Sequence, residues 1–138
     1  MSVYLDASVL VSLFLPDSNS RSALQRIRRM RETLIVSDFA AAEFASGVAK
    51  RVRTRESTRA DAHAAFAEFD DWVARSADHT ELTSADIGAT TRLLRRLDST
   101  LRTPDALHVA LVQRIGARLF TLDARMKAFA KQEGIGVV

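Results

Sequence analysis

The sequence contains no cysteine, and this absence excludes two kinds of site. Neither a disulfide framework nor a metal site built on thiolates can form. An intracellular protein is the simpler interpretation of such a chain, and we expect a cytoplasmic location. Long apolar runs are also missing, and the first residues lack the basic start and apolar core of a signal peptide, so we expect no membrane span.

Lysine is scarce as well, and arginine carries almost all of the positive charge. The formal net charge is +3 and the isoelectric point is about 9.9. Guanidinium groups suit bidentate contacts with phosphate, so a polyanionic partner is one interpretation. The other is that the arginines lie on solvated helix faces or pair with Glu32, Glu56 and Asp98. The basic residues form three groups: Arg26, Arg28, Arg29 and Arg31; Lys50, Arg51, Arg53 and Arg55; Arg92, Arg95 and Arg96.

Only two prolines and five glycines interrupt the 138 residues, of which 47% are hydrophobic. A chain of this length and composition matches one compact domain with a substantial core, and we expect a single domain over residues 1–138. Short apolar segments alternate with helical patterns, which predicts an α/β fold with a central parallel sheet of about four to five short strands and helices on both faces. The predicted strands are residues 3–5, 34–36, 80–82, 119–122 and 134–138.

Two helices joined by a short turn are predicted between the second and third strands. The first begins at Ser37 or Asp38 and continues through Val52, and a capping box from Thr58 to Asp61 opens the second. We expect this helical hairpin to form an arm beside the sheet. Its aromatic residues are predicted to pack in the core or at a dimer contact rather than to stack on bases: Phe66, Phe69 and Trp72.

Three aspartates stand at the boundaries of apolar elements. Asp6 and Asp123 each follow a predicted strand and precede a helix, so each should lie at the carboxyl edge of the sheet, where ligands of such folds bind. Asp105 lies in the first turn of an apolar helix, which we expect to begin with Thr103 as N-cap and Pro104 at the first helical position. Each also has a structural interpretation, because a helix cap contributes about 1 kcal/mol and a carboxylate complements the helix dipole.

Glu43 stands in an alanine-rich helix, where its carboxylate must face solvent, pair with an arginine or serve a site. The joint hypothesis is that all four carboxylates converge at one end of the sheet. Two like charges about 4 Å apart repel by roughly 4 kcal/mol at an effective dielectric of 20, so such a cluster requires protonation or a cation. Ligands that are all oxygen favour Mg²⁺ or Mn²⁺ over Zn²⁺. Ser8 and Thr121, each two residues from an aspartate, can orient the carboxylates by hydrogen bonding.

The four acidic segments, in this order, resemble the motifs of PIN-domain ribonucleases, and the resemblance spans nearly the whole chain. Its size and helical arm are most similar to the VapC toxins of bacterial toxin–antitoxin pairs. The segments are Tyr4-Leu5-Asp6-Ala7-Ser8, Ala42-Glu43-Phe44, Thr103-Pro104-Asp105-Ala106-Leu107-His108 and Phe120-Thr121-Leu122-Asp123.

The resemblance implies an endoribonuclease that depends on Mg²⁺ or Mn²⁺, acts on RNA, forms a homodimer and is inhibited by a cognate VapB-type antitoxin. It assigns the catalytic and metal-binding roles to Asp6, Glu43, Asp105 and Asp123, with Ser8 and Thr121 supporting them. Because water activated by a cation would be the nucleophile, the expected products carry 5′-phosphate and 3′-hydroxyl ends. His108, one turn after Asp105, is expected to pack or to make a supporting hydrogen bond.

Several alternatives remain open at this point. Phosphatases with an aspartate nucleophile typically need a second aspartate two residues after the first, where this chain has Ser8. A response-regulator receiver domain would carry an early aspartate pair and a late lysine, which are missing here. A catalytically silent RNA- or protein-binding module is the alternative of a different class, and a PIN nuclease in RNA processing without an antitoxin is another.

Overall fold

A parallel sheet of four strands, in the order β3-β2-β1-β4, forms the centre of the computed structural model, which describes all 138 residues. The predicted α/β fold class is confirmed. No helix is long and apolar enough to cross a membrane. The strands are β1 (Ser2–Leu5), β2 (Thr33–Ser37), β3 (Asp78–Thr80) and β4 (Arg118–Phe120).

Strand β1 is the most deeply buried of the four. It pairs with β2 on one side, where Val3 lies opposite Leu34, and with β4 on the other, where Leu5 lies opposite Phe120. Val3, Tyr4 and Leu5 are all fully buried, although successive side chains of a strand point to opposite faces. Both faces of the sheet are therefore covered, as expected for strands joined by helical crossovers.

Seven helices connect and cover the strands. Each of α1, α3 and α7 begins with a side-chain cap at the end of a strand or just beyond it: Asp6 caps α1, Ser37 caps α3 and Asp123 caps α7. The helices are α1 (Ala7–Phe14), α2 (Ser20–Arg29), α3 (Asp38–Arg53), α4 (Arg59–Ser76), α5 (Ser84–Arg95), α6 (Thr103–Ile115) and α7 (Ala124–Gln132).

Helices α3 and α4 form the expected hairpin arm, and the predicted capping box of Thr58 and Asp61 closes the start of α4. Aromatic side chains hold the arm to the body of the protein. Phe14 makes edge contacts with Phe44, Phe69 and Trp72, and Phe44 stacks on Phe69. These rings lie against the core, as predicted for the aromatic residues of the arm.

Three predicted strands are wrong in their extent. The third strand is residues 78–80 rather than 80–82, because Leu82 has already turned away and its backbone N–H donates to the Asp38 carboxylate at 2.8 Å. The expected strand at residues 134–138 is reduced to one bridge, between Val137 and Leu119. The fourth strand stops at Phe120, so Thr121 and Leu122 belong to the loop that leads to α7.

Helix α6 also begins differently from the prediction. Arg102 rather than Thr103 is its N-cap, without a side-chain cap, and Pro104 follows Thr103 instead of occupying the first helical position. The expected burial is confirmed, since seven consecutive residues from Ala106 to Val112 are buried. Gly116 ends the helix in the left-handed conformation at φ 68°, which glycine adopts without steric cost.

An ion pair fixes α5 against α6. The Asp86 side chain is 1% exposed and accepts from Arg114 Nε at 2.7 Å and from Arg114 Nη2 at 2.9 Å. Burial alone would raise the pKa of the Asp86 carboxyl, but hydrogen bonds from Arg114 and Thr83 outweigh it and hold the pKa below its usual value. The pair therefore stabilises the fold above the ordinary pKa of an aspartate, and this contribution is lost as the pH falls through the lower folded value.

We expect Arg114→Met to lower the free energy of unfolding at pH 7 by about 3 kcal/mol, because it leaves a buried carboxylate without its cation. The loss should shrink as the pH approaches 3, where Asp86 is protonated in the variant. Urea titrations at both pH values measure it. Arg75→Met is the control, since its pair with Asp71 is exposed and its removal should change nothing measurable. Equal destabilisation by both substitutions would contradict the assignment.

Candidate active site

The carboxyl ends of β1 and β4 lie side by side at the point where the strand order reverses. The chain proceeds from β1 outward through β2 to β3 and then returns to the other side of β1 as β4. Crevices of open α/β sheets form at such a point. Asp6 follows β1 directly and Asp123 lies three residues after β4, so the topology brings these two predicted site residues to one edge.

Asp6 is only 2% exposed and accepts three hydrogen bonds. Its Oδ1 accepts from Ser8 Oγ at 2.6 Å and from the Val9 backbone N–H at 3.2 Å, and its Oδ2 accepts from Thr121 Oγ1 at 2.5 Å. Ser8 and Thr121 thus contact Asp6 as the sequence predicts. Their hydroxyl oxygens in turn accept from the backbone N–H groups of Leu122 and Asp123.

The environment of Asp6 is electrostatically unfavourable for a charge. Burial raises the pKa of its carboxyl above the usual value, and the hydrogen bonds from Ser8, Thr121 and the Val9 backbone oppose that rise without cancelling it. A carboxyl with a pKa raised in this way at the edge of a sheet is a candidate functional group.

Asp105 and Asp123 differ in how much of their hydrogen-bonding capacity is engaged. Asp123 Oδ1 caps α7 by accepting from the backbone N–H groups of Arg125 and Met126, at 2.8 and 3.1 Å. No hydrogen bond of the structure engages the half-buried Asp105 carboxyl, although it lies in the first turn of α6. Helix capping therefore accounts for one oxygen of Asp123 and for none of Asp105.

The pKa of the Asp105 carboxyl is raised above its usual value. Burial is the largest cause of the rise, and the charges of Asp123, Glu43 and Asp6 raise it further, whereas the charge of a protonated His108 lowers it. Asp105 also stands in the first turn of α6, where the helix dipole favours a negative charge. The other three predicted site residues are thus within electrostatic reach of Asp105.

Glu43 contacts a histidine and no arginine. His108 is 1% exposed, and its Nε2 lies 2.6 Å from Glu43 Oε1. Its Nδ1 lies 2.7 Å from the Tyr4 hydroxyl, which in turn lies 2.7 Å from Ser37 Oγ. The hydrogen bond expected for His108 is therefore present, and the arginine pairing considered for Glu43 is wrong. Tyr4 and Ser37 were missed as supporting residues, although a lone tyrosine in an apolar strand signals a buried hydroxyl that needs partners.

The chemistry of this donor set fits a hard divalent cation. Each of the four carboxylates keeps an oxygen lone pair free for a further ligand. Asp6 uses three of about four acceptor positions, and Asp105 uses none. Asp123 and Glu43 each use one of their two oxygens. Oxygen donors alone suit Mg²⁺ or Mn²⁺. No three acidic or histidine side chains are arranged so that they could already hold a metal ion.

The arginine groups differ in how far they are neutralised. Arg96 is bound to Asp98 and Glu133, and Glu32 is bound to Arg118 rather than to the arginines beside it. No acidic side chain pairs with the group at the end of α3: Lys50, Arg51, Arg53 and Arg55.

One member of this group, Arg51, lies close to the loop that borders the site. Its Nη1 donates to the Pro16 carbonyl at 3.4 Å. The next residues of that loop, Asp17 and Asn19, line a cavity of about 410 Å³ together with Ser8 and Asp123. Arg51 therefore adjoins the surface that leads to the carboxylates.

A family model described as the PIN domain matches residues 3–132 of the sequence. The chain belongs to the PIN-domain family. Comparison with curated protein sequences found no match.

Several solved structures share the fold of this PIN domain. VapC20 of Mycobacterium tuberculosis, described as a toxin that cleaves the sarcin–ricin loop, is 17% identical with a TM-score of 0.72, over 92% of this chain and 94% of that one. VapBC2 of Rickettsia felis, solved with a fragment of promoter DNA, is 16% identical with a TM-score of 0.71, over 100% and 98%. A toxin–antitoxin complex from Klebsiella pneumoniae is 20% identical with a TM-score of 0.65, over 99% and 95%.

In this PIN domain we expect Asp105→Asn to raise the thermal midpoint at pH 7, on the order of 2–5 °C, because it removes a repelled charge that makes no hydrogen bond. The sign follows from the raised pKa: ionised Asp105 destabilises the fold at neutral pH, and the difference should vanish as the pH falls through that pKa. Differential scanning fluorimetry without added metal measures it. Glu81→Gln, at an exposed carboxylate, should leave the midpoint unchanged, and a lower midpoint for Asp105→Asn would contradict the repulsion.

Proposed function

We propose that this protein is an endoribonuclease of the VapC type that depends on Mg²⁺ or Mn²⁺ and acts in the cytoplasm. The observation that carries the proposal is the match of residues 3–132 to the PIN-domain family, and the pKa of Asp105, raised by burial and by the charges of Asp123, Glu43 and Asp6, supports it. Separate segments of the chain supply these four groups, and their repulsion has no structural benefit. A divalent cation would turn this unfavourable arrangement into a favourable one.

Asp6, Glu43, Asp105 and Asp123 would hold the cation through their uncommitted oxygens. When bound there, Mg²⁺ or Mn²⁺ supplies activation of water and charge stabilisation for phosphodiester hydrolysis. The residues of the chain orient the carboxylates: Ser8 and Thr121 fix both oxygens of Asp6, and His108 fixes one oxygen of Glu43. Preorganised side chains of this kind lower the cost of arranging the site when the substrate binds.

RNA is the proposed substrate, and a VapB-type antitoxin is the proposed partner. M. tuberculosis VapC20 is described as a toxin that cleaves an RNA loop, and the R. felis and K. pneumoniae structures are of toxin–antitoxin pairs. The unpaired basic residues at the end of α3 supply positive charge for a polyanion near the site. We further propose a homodimer, in keeping with the VapC type.

A catalytically silent binding module is the second candidate. It is favoured by one observation, namely that no group of side chains is already arranged to hold a metal ion. Titration with Mn²⁺ separates the two candidates. Saturable binding that is lost in Asp6→Asn supports the nuclease, whereas no binding, or binding unchanged in that variant, supports the silent module.

We expect Asp6→Asn and Asp105→Asn each to reduce RNA cleavage by more than about 100-fold, because each removes a charged oxygen ligand. Purified protein is incubated with total RNA, with and without Mg²⁺, and the fragment ends are mapped. Wild-type products should carry 5′-phosphates and should disappear with a chelator. Glu81→Gln is the matched control and should cleave as wild type does. Cleavage by Asp6→Asn at the wild-type rate would remove the nuclease assignment.

The basic end of α3 should contribute to RNA affinity without contributing to the chemistry. We expect Arg53→Gln and Arg55→Gln to weaken binding of RNA to Asp105→Asn protein, which does not cleave it, and each should reduce the salt slope by about 1. Arg96→Gln is the control, because Arg96 is already neutralised by Asp98 and Glu133. An affinity for RNA that does not change with salt concentration would show that these arginines are ordinary solvated side chains.

A further inference from the structure

A continuous chain of buried hydrogen bonds runs from the N-terminus of α3 back to the same helix. The Ala40 backbone N–H donates to Ser37 Oγ at 2.9 Å, and Ser37 Oγ lies 2.7 Å from the Tyr4 hydroxyl. The hydroxyl lies 2.7 Å from His108 Nδ1, and His108 Nε2 lies 2.6 Å from Glu43 Oε1. The chain thus joins β1, α3 and α6 and ends on a candidate cation ligand.

The direction of the proton in each bond can be worked out from the chemistry of the groups. An ionised Glu43 only accepts, so His108 Nε2 must carry a proton. With a single ring proton, carried on Nε2, Nδ1 accepts from the Tyr4 hydroxyl. Ser37 donates to the Tyr4 oxygen and accepts from Ala40. This order gives every group in the chain a partner.

We propose that Tyr4 and His108 are positioning residues: the Tyr4 hydroxyl fixes the orientation of the imidazole through Nδ1, and Nε2 of His108 orients the Glu43 carboxylate for a cation. The role of Glu43 in this inference rests on the proposed function, whereas the two hydrogen bonds do not. His108 binds Oε1, so Oε2 stays available for a cation. Histidines beside metal sites fix geometry through hydrogen bonds of this kind.

Packing limits the other orientations of the imidazole. Tyr4 is fully buried and His108 is 1% exposed, so water does not compete for the bond between them, whereas the Glu43 side chain is 32% exposed and reaches solvent. The Phe39 ring lies 4.8 Å from the imidazole centroid and the Tyr4 ring lies 5.7 Å from it. A ring flip would put Cδ2 and Cε1 where Nδ1 and Nε2 stand and would break both hydrogen bonds.

Nitrogen-15 NMR of the histidines in the wild-type protein, at pH 7 without metal or RNA, tests the protonation of His108 Nε2 directly. The chain has three histidines, and His63 and His79 are exposed, so His108 is identified by its absence from the His108→Gln spectrum. We expect a protonated Nε2 in the wild type, and a share of rings with an unprotonated Nε2 in Tyr4→Phe. An unprotonated Nε2 in the wild type would overturn the inference, because it could not donate to Glu43.

The second measurement is the affinity of the protein for Mn²⁺ alone, which is determined by electron paramagnetic resonance. His108→Leu should bind Mn²⁺ about 10–100-fold more weakly than wild type, and Tyr4→Phe should show a smaller loss in the same direction. His108→Gln keeps a donor amide at a similar reach and should recover most of the affinity. Equal binding by wild type and His108→Leu would overturn the positioning role.

Thr90→Val is the matched control, because it removes one buried hydroxyl and its bond to the Asp86 carbonyl in a different part of the core. It should leave both the protonation of His108 Nε2 and the Mn²⁺ affinity unchanged. If His108→Leu does not fold, the comparison of Tyr4→Phe with Thr90→Val decides the same question. Failure of the wild type to bind Mn²⁺ would contradict the proposed function, whereas normal binding in every variant would contradict this inference alone.

Discussion

The burial of the Asp6 carboxylate is the constraint on which the rest of the site depends. Moving a carboxylate out of water costs several kcal/mol, and three donors reduce this cost: the Ser8 and Thr121 hydroxyls and the Val9 backbone N–H. They do not remove it, because the pKa of Asp6 stays raised. The same bonds cap α1 and join the ends of β1 and β4. The local fold is thus arranged around a charge that it stabilises incompletely.

The sheet order explains why this incomplete stabilisation occurs at one place. Strand β1 lies between β2 and β4, so the segments that follow all three strands emerge at a common edge. α3 brings Glu43 from one side and the loop after β4 brings Asp123 from the other, while the first turn of α6 adds Asp105. Each segment is an ordinary junction between a strand and a helix, or the first turns of a helix, and none needs unusual backbone geometry. Only the combination of their charges is unfavourable. A bound ligand therefore explains why the four carboxylates stand together better than the stability of the fold does.

The parts of the fold that the sequence predicts are those encoded by short-range patterns. The apolar run before Asp6 and the Thr58 capping box are local signals, and β1 and the start of α4 were predicted correctly. Strand β3 carries Asp78 and His79 on an exposed edge, so hydrophobicity gives no register and its position was misplaced by two residues. Tyr4 and His108 are 104 residues apart, and the sequence gives no sign that they meet. The four acidic positions could be proposed from their motifs, but the partner of Glu43 could not, because it depends on how α3 and α6 approach.

The identity of that partner has a physical consequence. An arginine at the position of His108 would carry a permanent charge and a planar fork that tends to engage both oxygens of a carboxylate. It would neutralise Glu43 and relieve the repulsion that Glu43 exerts on Asp105, and the site would then have less to gain from a cation. An imidazole donates one hydrogen bond through Nε2 and fixes the carboxylate while leaving its second oxygen free. The choice of histidine therefore leaves Glu43 an oxygen that a cation can use, and the Tyr4 hydroxyl holds the ring by occupying the other nitrogen.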